Sequence, residues 1–273
     1  MHGSIQLPAS PPLRYLLRLA DTCLILGQRL GEWCGHAPVL EEDIALANMA
    51  LDLIGQARAL LTHAGQVAAQ VVGQGAGAIG AAAFDEDQLA YLRDERDYFN
   101  LTLVELPGGP QGGDFAFTVL RNAMVATWLK LMWARLANST DAELAAIAGK
   151  AIKEARYHQQ HAADWVQRLG DGTAQSHQRC QAALDQMWRF TPELFDCDAV
   201  DQAASASGLG PAWAELRQPW LDEINEILAA ATLTAPQDSA FRSHGKRGVH
   251  SEHMGLVLAE MQHLQRAYPG GVW

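Results

Sequence analysis

Several residues in this chain stand at spacings that could hold a metal. Glu154, His158 and His161 follow one another at four and three residues within a helix-forming run over 141–169, so they share one helix face. Over 38–72, Asn48, Asp52 and Gln56 stack at four-residue intervals between apolar neighbours, and Asp21 stands among leucines over 13–33. Polar groups turned inward each need a partner. A helical bundle holding two irons takes a Glu from each of two helices and Glu-x-x-His from each of the other two. Helix by helix, that pattern fails. Three residues beyond Asp52 stands Gly55, three beyond Glu154 stands Tyr157, and the run over 115–136 offers Lys130 with no carboxylate. The set Asp21, Asp52, Gln56, Lys130, Glu154 and His158 therefore reads as a degenerate site: a hydrogen-bonded polar core. Lys130 either pairs with the buried carboxylates or reaches solvent along its stem. A lone metal on Glu154, His158 and His161 is the alternative.

The elements that must position these groups read as helices. Pro38 suits a first helical turn, Glu41, Glu42 and Asp43 favour its positive end, and Leu40, Ile44, Ala47, Leu51 and Ile54 recur at the helical period. Long helices are expected over 13–33, 38–72, 115–136 and 141–169, the last opened by a Thr140/Glu143 capping box. A charge-dense helix is expected over 87–105, capped by Asp85, its Arg93–Asp97 run read as a solvated face or a surface for protein contact. Further helices fall within 173–268. Residues 73–80 read as a linker, 107–113 as a turn, 196–210 as loop and 234–248 as a polar, mobile stretch. No stretch alternates long enough for a strand, so the fold class is all-α. Residues 1–12 read as a short leader and 13–273 as one domain.

Composition narrows the function. A net charge of −11 lacks the basic footprint of a nucleic-acid binder. No continuous run approaches 18 apolar residues, which argues against a membrane span. The four cysteines (Cys23, Cys34, Cys180, Cys197) are scattered, and with no secretory signal they read as reduced thiols of a cytoplasmic protein.

Certain segments carry a resemblance. Leu24-Ile-Leu-Gly-Gln-Arg-Leu, the run from Glu32-Trp-Cys-Gly-His-Ala-Pro through Asn48, Leu53-Ile-Gly-Gln-Ala-Arg, Tyr91-Leu-Arg-Asp-Glu-Arg, Lys153-Glu-Ala-Arg-Tyr-His and Leu169-Gly-Asp-Gly-Thr resemble the structural C-subunit of the ring 1,2-phenylacetyl-CoA epoxidases. The likeness runs from about residue 13 to 195 and continues more weakly to 268. It implies a ferritin-like long-helix bundle with additional C-terminal helices, serving a structural role and binding no cofactor itself. The implied partner is a homologous catalytic A-subunit that carries a di-iron centre and epoxidises phenylacetyl-CoA. Electrons would come from NADPH through a reductase bearing FAD and an iron–sulfur cluster.

On that reading Arg29, Glu32, Trp33, His36, Arg93 and Arg96 are candidates for the partner interface. Trp33, Trp128, Trp133 and Trp220 read as interface or core, core being the safer reading of Trp128. A CoA phosphate would need local positive charge or a helix start. Thr173, Ser176, His177 and Arg179 supply one such place, with ordinary capping as the plainer reading, and the stretch 242–247 supplies another. A metal-dependent oxidoreductase and a stand-alone acyl-CoA-binding module stay open as alternatives.

Overall fold

A computed structural model describes residues 4–73, 84–108 and 114–271. The regular structure among its described residues is helical, apart from one isolated bridge between His244 and Val249. Four long helices form the body: α1 (Pro11–Gly31), α2 (Leu40–Gly73), α4 (Phe115–Leu136) and α5 (Ala142–Gly170), with the short α3 (Glu86–Tyr91) between the pairs. α1 packs along α2 and α4 along α5, as short connections favour. α1 and α4 are apolar on almost every face and buried on almost every face, the pattern of central helices. α5 is amphipathic, burying Leu144, Ile147, Ala151, Ala155, His158, Ala162 and Val166 at helical spacing. Outside the body lie α6 (Ala174–Trp188), α7 (Ala199–Ser207), α8 (Arg217–Ala230) and α9 (Met254–Ala267).

Trp128 and Trp220 are interior anchors. Trp128 donates to the Leu194 carbonyl (2.9 Å) and Trp220 to that of Met124 (2.8 Å), tying the outer layer to α4. Trp33, Trp128, Trp133 and Trp220 all belong to the core of this chain. Arg18 of α1 carries the second anchor. It is buried beneath Asp198 and Asp201 (both 2.9 Å from Nη1), and Lys246 joins the same Asp201 at 2.9 Å. Burial works against the Asp198 charge, but the Arg18 guanidinium outweighs it and holds that carboxyl below the usual range.

Several expectations need correction. The helix expected over 87–105 ends at Tyr91 and gives way to 3-10 turns at Glu95–Asp97 and Thr102–Glu105. Its Arg93 turns inward to Asp21, and Tyr98 to Leu106 run buried under the bundle, which a straight charged helix could not do. Asp141, not Thr140, caps α5, accepting from Leu144 N at 3.0 Å, while Thr140 bonds to the Ser207 carbonyl. The stretch 196–210 contains α7, opened by an Asp198/Asp201 capping box. The stretch 234–248 is pinned at its end: Lys246 is buried, and a Cβ on Gly245 would lie 2.5 Å from the Asn100 carbonyl. Among residues 1–12, Ser4 bonds Asp97 and the Asp94 N–H. The linker 73–80 and turn 107–113 fall largely outside the described residues.

The last correction concerns α2. Leu40, Ile44 and Leu51, the expected apolar face, are 71%, 54% and 65% exposed. Leu46, Met49, Leu53 and Leu60 point inward instead. α2 is also, by length and composition, apolar enough to cross a membrane (mean hydropathy 1.3 over its best window). In this fold its inward side is packed on α1, its outer side is exposed, and its third side is lined by polar groups.

Candidate functional site: a polar seam between two helices

The third side of α2 meets α5. Glu42 accepts from His161 at 2.8 Å, Asp52 pairs with His158 Nε2 at 3.0 Å, Gln56 donates to Glu154 at 2.9 Å, and His63 pairs with Asp141 at 2.8 Å. Numbers rise along α2 as they fall along α5, so the helices run antiparallel with their polar residues in register. Cys23 of α1 reaches into this layer, its Sγ 3.6 Å from the Gln56 amide oxygen. Burial pushes the Cys23 thiol up and leaves it a packed, protonated group. Burial also lowers the pKa of His158, against the hydrogen bond and charge of Asp52. Its imidazole is thus kept neutral at neutral pH, and its Nε2–H donates to the Asp52 carboxylate.

Of the six degenerate-site residues, the structure brings four together: Asp52, Gln56, Glu154 and His158. Asp21 is elsewhere. It is fully buried against Arg93 (Nη1–Oδ2 2.9 Å) and accepts from Phe99 N at 2.9 Å. Lys130 is elsewhere too, bonded to Gln159 at 2.8 Å and to Glu223 of α8. It is partly buried and neutralises a carboxylate, but one from the outer layer. Glu42 and His63 are seam members that the sequence reading passed over. Intervals of ten, four and seven residues from Glu42 through Asp52 and Gln56 to His63 keep all four on one helix face, and that was the signal available.

A di-iron centre would ask more of this donor set. Two irons need bridging and terminal carboxylates with two imidazoles from four helices. Here α4 offers Thr127 at the corresponding depth, α1 offers a protonated thiol, and each carboxylate of the seam already bonds a protein donor. Among the described residues no group of three or more His, Cys, Asp or Glu is placed to hold a metal ion. The residues present do not fit a di-iron centre. His158 and His161 belong to separate pairs, with Asp52 and Glu42 respectively, so the lone-metal triad with Glu154 does not converge either.

The remaining candidates divide by burial. Arg29 donates to the Glu105 carbonyl (2.8 Å) and to Glu32, Trp33 donates to Thr118 (3.0 Å), and Arg93 holds Asp21. These three are interior residues of this chain. Glu32, His36 and Arg96 are exposed. Thr173 and Ser176 form a reciprocal capping box, so their hydroxyls and backbone N–H groups already serve the start of α6. His177 bonds the Gly170 carbonyl at 2.8 Å, which leaves Arg179 as the exposed cation of that group.

An all-helical bundle whose mid-height donors bond one another defines a ferritin-like chain with no metal-binding set among its described residues. The chain belongs to the phenylacetic acid catabolic protein family, whose model matches residues 4–273. It is 49% identical over 259 residues to the C-subunit of the 1,2-phenylacetyl-CoA epoxidase of Escherichia coli (strain K12), covering 95% of this chain and 98% of that protein.

Proposed function

We propose that this chain is a non-catalytic structural subunit of a multicomponent phenylacetyl-CoA 1,2-epoxidase, pairing with and stabilising the di-iron catalytic subunit in aerobic phenylacetate degradation. The observation that carries this reading is the seam itself. Asp52–His158 and Gln56–Glu154 satisfy inside the chain the very groups that would otherwise bind metal. Iron, oxygen activation and phenylacetyl-CoA turnover then belong to the partner, with electrons from NADPH through the FAD and iron–sulfur reductase. What this chain contributes is surface. Val39, Leu40, Ile44 and Leu51 of the α2 edge and Tyr157 of α5 are all 48–71% exposed and lie beside the seam. Large exposed apolar groups clustered on two adjacent helices are the mark of a protein contact. The four cysteines are unpaired, which suits the cytoplasm.

The test is co-expression with the catalytic partner, measuring iron content and phenylacetyl-CoA epoxidation for each chain alone and for the pair. Co-purification, with iron and turnover following the partner, is the expected result. Stoichiometric iron on this chain, or turnover by it alone, would sink the proposal.

A further inference from the structure

A cleft of about 570 Å³ opens between the C-terminal end of α6 and the loop that follows α8. That volume is typical of small-molecule sites. Two guanidinium groups line it, and neither has a carboxylate partner among the described residues. Arg189 stands over the Phe241 ring, its guanidinium carbon 3.8 Å from the centroid, and Phe241 meets Phe190 edge-on at 5.2 Å. Arg242 is clamped by its own turn, Nη1 donating to the carbonyls of Ser239 and Phe241 at 2.7 Å each. The adjoining cleft shares Arg242 and His244 with this one, and its other two arginines are neutralised: Arg217 by Asp238 at 3.3 Å, Arg247 by Asp196 at 2.6 Å. Arg189 and Arg242 are held in place by a ring and by carbonyls, with no carboxylate of the described residues within ion-pair distance. His244 lines the same cleft, and its Nδ1 is buried without a hydrogen-bond partner. The carboxylates on the lining are Asp185, which accepts from Gln181, and Glu252, which is 84% exposed and solvated.

We propose that this cleft binds a phosphate ester on a flat organic body of nucleotide size. Two pre-oriented guanidinium forks suit phosphate oxygens, because the planar donor pairs match them bidentately and little side-chain freedom is left to lose. Phe190, Leu106 and the 63%-exposed Val249 supply apolar contact for the ring. A free nucleotide and the nucleotide end of an acyl-CoA share this chemistry. The inference goes beyond the structural role proposed above and stands without it.

Calorimetric titration of the full chain would use adenosine 3′,5′-bisphosphate, CoA, adenosine and inorganic phosphate as probes. Saturable binding of the bisphosphate and of CoA is expected, with adenosine and inorganic phosphate each at least about tenfold weaker, since each lacks one half of the ligand. Equal affinity for the two assigns the nucleotide end alone, and tighter CoA binding assigns the thioester carrier. Arg189→Gln and Arg242→Gln should each weaken binding about tenfold, Arg242→Lys should recover part of the loss, and Arg217→Gln and Arg179→Gln should leave it unchanged. Arg189 is exposed, so its variant keeps the fold and decides the matter if Arg242→Gln does not. Absence of saturable binding, adenosine or phosphate binding as tightly as the bisphosphate, or indifference to Arg189→Gln would overturn the proposal.

Discussion

Asp21 and Arg93 show how one residue pair can be mistaken for two unrelated features. In the sequence, Asp21 is a lone acid in an apolar helix and Arg93 opens a charge run. In the fold both are fully buried and face each other, and the Asp21 carboxylate also takes the Phe99 N–H at 2.9 Å. Arg93 further lies 4.2 Å over the Tyr98 ring and donates to the Asp97 carbonyl at 2.8 Å. A buried pair of this kind adds little over an apolar pair, but breaking it is costly, because the surviving charge has no water and no counter-charge. Arg93→Ala should therefore destabilise the chain by about 3–5 kcal/mol. Urea unfolding followed by circular dichroism checks this. A loss below about 1 kcal/mol, the range of an exposed ion pair, would mean that Arg93 is solvated after all.

At the scale of elements, α2 is the instructive case. Its apolar residues outnumber what one face can hold, so periodicity alone admits more than one inward side. Packing on α1 selects Leu46, Met49, Leu53 and Leu60, the seam with α5 takes Glu42, Asp52, Gln56 and His63, and Leu40, Ile44 and Leu51 are left outside. Their exposure allows a clean separation of folding from association. Leu40→Glu combined with Leu51→Glu should shift the melting of the isolated chain little, since exposed substitutions stay within about 0.5 kcal/mol each. The same double variant should lose co-purification with the catalytic partner, because two carboxylates would be desolvated in an apolar contact. Undiminished co-purification would place the partner on another face.

At the scale of the whole molecule, stability against pH gathers contributions of opposite sign. The pKa of His158 is lowered, chiefly by burial. Its folded state prefers the neutral ring, so its contribution is full above the unfolded value of ~6.5 and is lost as pH falls through that value toward the folded one. His250 is the reverse case. Burial opposes its charge, but the hydrogen bond to Glu105 at 2.7 Å and the charge of that buried carboxylate outweigh it and raise the pKa. Its contribution is full below ~6.5 and is lost as pH rises through the folded value. Melting temperature measured from pH 5 to 8 should respond to each separately. His158→Gln should lessen the loss on the acid side, and His250→Gln should lessen the decline toward pH 8 while lowering stability most at low pH. The opposite pattern would reverse the assignment of the two environments.

The sequence by itself determined the helical class, the four long helices to within about three residues at their ends, the capping role of Asp85, and the failure of the di-iron ligand pattern at Gly55 and Tyr157. These are local matters: turn periodicity, cap chemistry and residue identity at fixed spacing are all written along the chain. It also carried the long motifs through which the family resemblance was legible. Only the tertiary structure decided who faces whom. Asp21 meets Arg93 across 72 residues, Lys130 meets Glu223 across 93, and Arg18 meets Asp201 across 183. A polar residue between apolar neighbours announces that it needs a partner, but its identity depends on which helices pack together and at what rotation. That choice is made by the fit of whole apolar surfaces, a property that no single segment contains. For the same reason the order of α7 and of the turn at Gly245–Arg247 is not legible in their local sequence. Their order comes from the buried Arg18 of α1, a distant part of the chain, which bonds Asp198, Asp201 and the Lys246 carbonyl.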